Sequence, residues 1–226
     1  MQNRLLTRTA LSLALTAGVA WLCAGCGTTR GYKKADQVGA GISEFGAEVL
    51  NGKKAIDDTV KSLDAVATSA STDPRKAFEE YSKQVANLES TAGKVRKRGQ
   101  DMKEKGTAYF KQWEQELTTV NNPDVRKLAE ERKAKLQQAF DAIKSYSEPL
   151  KEKFDPWMSD LKDLQKYLSN DLTVAGVDAA KPLFTKTQNE GLEVQKLVDS
   201  LVAELNTVAA TITPAKAQSA KAPPAK

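Results

Sequence analysis

Between residues 38 and 212, apolar side chains recur at alternating spacings of three and four residues. A chain patterned this way can bury them only as long helices packed along a shared seam. The alternation of a half-buried strand, with its period of two, is not sustained over any useful length. In the first segment the seam is Val38, Ile42, Phe45, Val49, Ile56, Leu63, Val66 and Ala70, with Gly52 and Thr59 as weak places. It closes at Ser71-Thr72-Asp73-Pro74. There Asp73 can cap the next helix, and Pro74 can take the first helical position, where a missing N–H costs nothing.

The second segment carries Phe78, Tyr81, Val85, Leu88, Ala92, Val95, Met102, Tyr109, Trp113 and Val120, with Gly99 and Gly106 falling on the same register. A helix from Pro74 to Val120 would be about 70 Å long, too long for a compact globule of this mass. Asn121-Asn122-Pro123 supplies a turn and a new start, and the third segment follows through Val125, Leu128, Leu136, Phe140, Ile143, Tyr146 and Leu150. Pro149 and Pro156 are expected to kink or restart it, leaving a shorter helix with Trp157, Leu161, Leu164 and Leu168. After a break from Ser169 to Gly176, the last seam is Phe184, Val194, Val198, Leu201, Leu205, Val208 and Ile212, interrupted by Thr187 and Gly191. Short turns favour antiparallel neighbours. The fold class is all-α, an elongated antiparallel helical bundle with coiled-coil-like heptad packing over residues 35–212.

What precedes the bundle is an address. Met1 to Arg8 contains Arg4 and Arg8 and no acid, and Thr9 to Leu22 is an apolar run, the order of a secretory signal. The run is shorter than the roughly 20 residues of a membrane-spanning helix. It ends in Leu22-Cys23-Ala24-Gly25-Cys26, which looks like a lipobox. In lipoproteins the cysteine at this place carries a diacylglycerol and becomes the new N-terminus. Residues 1–25 are therefore expected to be a removed signal peptide, Cys26 the lipidation site, and residues 26–34 a tether. Cys23 departs from the pattern, since a branched aliphatic usually stands there. The competing assignment is ordinary cleavage nearby, with Cys26 a spare thiol. Gly27 in place of an Asp favours the outer membrane over the inner.

The net charge of +5 and pI near 9.0 invite a nucleic-acid partner, but the excess is not in the body. Arg4 and Arg8 leave with the signal, and Lys216, Lys221 and Lys226 lie in the tail, so residues 26–212 are neutral overall. No nucleic-acid partner is expected. The local basic run Lys94-Val95-Arg96-Lys97-Arg98, followed shortly by Lys103 and Lys105, has Glu89, Asp101 and Glu104 nearby. It is a solvated helix face before it is a patch for anionic lipid or cell-wall polymer. The Pro-, Ala- and Lys-rich stretch 213–226 cannot build a core and is expected to be a disordered tail.

The chain has no histidine, so a Ser-His-Asp triad, a His-ligated haem, a zincin site and the Glu-x-x-His pairs of di-iron bundles are impossible. The densest carboxylates, Glu79-Glu80, Glu114 with Glu116, and Glu130-Glu131, sit on polar helix faces beside Lys and Arg. A glycosidase needs two across a cleft. Only Glu116 falls near the seam, and Leu117 beside it takes the core position. Trp113, Trp157, Tyr109 and Phe110 are core anchors before they are a ligand cage. No catalytic, cofactor-binding or metal-binding residue is assigned and no cofactor is expected; the chain is not expected to be an enzyme.

The lipobox, Tyr32-Lys33-Lys34 after it, Phe110-Lys111-Gln112-Trp113-Glu114-Gln115-Glu116-Leu117, and Pro149 followed by Leu161, Leu164 and Tyr167-Leu168-Ser169-Asn170-Asp171-Leu172 resemble an uncharacterised bacterial family known as domain of unknown function 2959. The similarity spans Tyr32 to Ile212. It implies a helical, signal-bearing envelope protein with no assigned activity and no catalytic residues to carry over.

The first functional expectation is a non-enzymatic envelope lipoprotein facing the periplasm, a helical scaffold held at a membrane by Cys26. Its partners would be an envelope protein, peptidoglycan or anionic lipid, or further copies of itself. The alternative is a carrier whose seam glycines, Gly99, Gly106 and Gly191, open a slot inside the bundle for an apolar or lipid-like ligand.

Overall fold

The computed structural model describes residues 28–69 and 73–212. They form four helices, α1 (Thr28–Ser69), α2 (Arg75–Leu117), α3 (Pro123–Asn170) and α4 (Val174–Ile212), and no strand is present among the described residues. The helices run up, down, up and down. Each packs on its two neighbours in a ring, with α1 bridging α2 and α4 and α3 closing the circle. At 48 residues, α3 is about 72 Å long. The Cys26 site, Ala70 of the first seam and the tail 213–226 lie outside the described residues, and α1 already begins inside the stretch assigned to the tether.

Most of the seam is buried where its period places it. Val38, Ile42, Leu63 and Val66 of α1, Tyr81, Val85 and Leu88 of α2, Trp157, Leu161 and Leu168 of α3, and Val194 to Val208 of α4 lie in one continuous core. Leu117 is buried and Glu116 exposed, as a three-four register centred on the leucine requires. Local chemistry sets the helix starts. The Asp73 carboxylate accepts from the Arg75 backbone N–H at 3.1 Å. Asn122 Oδ1 accepts from the N–H groups of Asp124 and Val125, satisfying donors that the first turn leaves unpaired.

Two expectations fail. Pro149 and Pro156 neither end nor restart the third helix, which runs unbroken through both. Each costs about 3 kcal/mol or more in a helix interior. Both are exposed, however, while Ile143, Trp157, Met158 and Leu161 are buried on the inner face around them, and burying such side chains at about 1.5–3 kcal/mol each carries the helix across. The second failure concerns Val125, Leu128 and Tyr146, placed on the seam by spacing. They are 51%, 69% and 40% exposed. For Val125 and Leu128, at the start of α3, the period continues where α4 no longer runs alongside, since Arg132 already meets the Thr211 carbonyl near the last turn of α4; the exposure of Tyr146 has no such explanation.

The glycines separate by what lies opposite. A Cβ on Gly106 would stand 2.2 Å from Cζ of Phe140, whereas one on Gly93 would meet nothing within 4 Å. Gly93→Ala therefore raises stability by about 0.5–1 kcal/mol through helix propensity. Gly106→Ala lowers it by about 1–3 kcal/mol through overpacking, despite the same propensity gain. Urea midpoints of the two variants on either side of the wild type check this.

Tyr81 is buried, and its hydroxyl donates to the Leu161 carbonyl at 2.6 Å, tying α2 to α3. Burial pushes the phenol well above the ordinary tyrosine value of 10.0. The unfolded chain therefore loses this proton before the folded one does, and stability falls as pH rises above about 10. Absorbance at 295 nm should show one tyrosine ionising only as the helical signal is lost.

Candidate functional site

Along α2 the inward positions from Ala92 through Val95 to Gly99 are small for more than a turn, between the bulkier Leu88 and Met102. Small residues ordinarily let helices close up. Here aromatic rings of α3 stand at both ends of this stretch, and the one at Phe140 packs directly on α2. At one end the Phe140 ring covers Gly106 and meets Phe110 edge-on, centroids 5.8 Å apart. At the other, Phe154 and Trp157 pack edge-on at 5.9 Å, and the buried Trp157 Nε1 donates to the Thr187 carbonyl at 2.7 Å.

Between these rings lies a slot of about 640 Å³, open along one side to solvent. Its floor is Phe45, Val49, Gly52 and Ile56 of α1 with Val198 and Leu201 of α4; its walls are Leu88, Ala92, Val95, Gly99 and Met102 of α2 against Phe140, Ile143, Leu150 and Phe154 of α3. The rim is polar, with Arg96, Gln100 and Lys103 on α2 facing Asp141, Lys144, Ser147, Glu148, Lys151 and Asp155 on α3. Across the mouth Arg96 pairs with Asp155 and lies 5.9 Å from the Phe154 ring centroid. Lys144 is bound to Glu148 at 3.3 Å on its own helix. Lys103 and Lys151 have no carboxylate within 4.0 Å among the described residues, so two cations of the rim stand available to an anionic group.

Of the three glycines expected to open such a slot, only Gly99 lines it. Even there one side is taken, since an added Cβ would lie 3.2 Å from Phe45 Cε2. Gly106 is closed by Phe140. Gly191 is closed by Val60 and Trp157, at 2.8 and 3.0 Å from an added Cβ. A missing side chain on a seam makes a hole only if no ring from the facing helix enters it. Ala92, Val95 and Lys151, which matter more, carried no signal beyond being small on the seam or charged beside it, and Lys103 only its place just after the basic run.

The other candidates resolve into structure. In the basic run, Arg96 pairs with Asp155 and Arg98 with Glu44 at 3.4 Å, so both tie helices together. Glu79, Glu80, Glu114, Glu116, Glu130 and Glu131 all lie on the surface of the bundle. Glu114 and Glu130 border a groove of about 410 Å³ shared with Arg126 and Lys133, where Glu114 is paired with Lys133 at 3.5 Å. Among the described residues no group of three or more His, Cys, Asp or Glu is placed to hold a metal ion. No described helix is long and apolar enough to cross a membrane.

The molecule is thus an antiparallel all-α four-helix bundle with an apolar slot along one interhelical seam. The profile of the family described as "Protein of unknown function (DUF2959)" matches residues 27–214, and the chain belongs to that family. No curated protein and no solved structure matches the chain.

Proposed function

We propose that this is a non-enzymatic bacterial envelope lipoprotein, anchored through Cys26, that holds one apolar, lipid-like amphiphile between α2 and α3. The observation that supports ligand carriage over a purely structural scaffold is the slot. Its volume of about 640 Å³ falls in the usual range of ligand pockets, about 300–1,000 Å³. At roughly 30 Å³ per water-sized or methylene-sized unit it takes about 20 of them, one acyl chain rather than two. Walls of Val, Leu, Ile and Phe suit that chain, and Lys103 and Lys151 at the rim suit an anionic head.

Titration of the processed protein with a fluorophore-labelled hexadecanoic acid tests this. Saturable one-to-one binding with a blue-shifted emission is expected, weakened severalfold by Lys103→Glu together with Lys151→Glu. Emission that rises without saturation, or is indifferent to both substitutions, contradicts it. The anchor is tested separately, by intact mass of the membrane-extracted protein beside Cys26→Ala. The wild type alone should carry the added mass of a lipid.

A further inference from the structure

We propose that the end of the bundle formed by the start of α1 and the α2–α3 connection is a membrane-docking face, with Val125 and Leu128 entering the interface of an anionic phospholipid bilayer. This rests on the anchor at Cys26. That residue lies two positions before the first residue of α1, Thr28, and two residues of chain reach at most about 7 Å, so a lipid there sits against the first turn of α1. Gly31 in that turn is beside the end of α2, an added Cβ lying 3.5 Å from Glu116 Oε2, so the connection 118–122 and the first turns of α3 share this end.

Val125 and Leu128, 51% and 69% exposed, are three residues apart on a helix and share a face. Arg126 and Lys127 stand between them and Asp124 just before them, all exposed, and the Arg126 guanidinium donates to the Val120 carbonyl at 2.6 and 3.1 Å. Apolar side chains flanked by cations suit the headgroup boundary of a membrane carrying negative charge. The last helix also ends here, alongside Arg132. An orientation follows: Gly99 of the slot is about 27 Å along α2 from Leu117, which holds the slot clear of the headgroups.

The test uses the processed protein, extracted from membranes and reconstituted in vesicles of phosphatidylcholine with about one third phosphatidylglycerol, some with brominated acyl chains. Leu128→Trp should gain emission that brominated chains quench at least about twofold, while Leu183→Trp, also exposed but at the far end of the bundle, should not be quenched. If the Leu128→Trp variant binds the vesicles and its added emission is unquenched, the proposal is overturned. Should intact mass show no lipid on Cys26, the anchor falls by itself and flotation of the same protein judges the face. Co-flotation with the anionic vesicles that Val125→Glu with Leu128→Glu weakens about tenfold or more upholds it, and no co-flotation overturns it. Slot-filling variants should leave every one of these readouts unchanged.

Discussion

Trp157→Ala is expected to cost about 3–5 kcal/mol of folding stability, a large share of the roughly 5–15 kcal/mol that holds a typical domain together. The indole is 1% exposed. Its six-membered ring fills the space that Gly191 leaves on α4, against Val60 of α1. Its N–H holds the Thr187 carbonyl, and its edge supports Phe154. One side chain of α3 thus spans to α4 and α1, and the alanine leaves a hole bordered by a glycine that cannot refill it. Trp157→Phe keeps most of the packing and loses the hydrogen bond, so it should cost about 1–2 kcal/mol. Guanidinium midpoints in the order wild type, Phe, Ala are the expected result, and an alanine variant within about 1 kcal/mol of wild type would refute this role.

Ala92→Phe should do the reverse, leaving stability within about 1 kcal/mol of wild type or above it while weakening ligand binding severely. Ala92 borders empty volume, so a larger side chain there meets space where one at Gly106 meets a ring. A phenyl group displaces three to four methylene-sized units from the slot. At about 0.8 kcal/mol per methylene the ligand loses about 3 kcal/mol, a drop in affinity of about a hundredfold. The titration with labelled hexadecanoic acid reads this loss, and an unfolding curve on the same sample shows whether the bundle is intact. If Ala92→Phe binds as the wild type does, the ligand is not in this slot.

The fold was legible to the extent that it follows from which face of each helix is apolar. The seams from Val38 to Val66 and from Phe184 to Ile212, the turn at Asn122-Pro123 and the preference for Leu117 over Glu116 all follow from spacing and caps. Whether a partner reaches a given seam position does not. Val125 and Leu128 keep the period but stand where α4 no longer runs alongside, and Pro149 and Pro156 sit inside a helix because packing on the opposite face outweighs their local cost. The slot was half legible for the same reason. Small residues announce that something must fill the space, and only the pairing of helices decides between a ring, as at Gly106 and Gly191, and an opening, as beside Ala92 and Gly99. The Cys26 motif, proposed above as the anchor, lies outside the described residues.

Across the mouth of the slot, Arg96 on α2 and Asp155 on α3 form an exposed ion pair. An exposed pair of this kind contributes little to stability, about 0–1 kcal/mol, so it can open without threatening the bundle. Elsewhere the core ties of Tyr81 to Leu161 and of Trp157 to Thr187 join α2 to α3 and α3 to α4.

Native mass spectrometry of the protein freshly extracted in mild detergent, wild type beside Ala92→Phe, is the most direct measurement of ligand carriage. The wild type should retain one non-covalent amphiphile with a single long acyl chain, released on activation, and the variant should fly without it at the same charge states. A wild type with no retained ligand, or a variant that keeps the same added mass, would contradict the assignment of the α2–α3 slot as a ligand site.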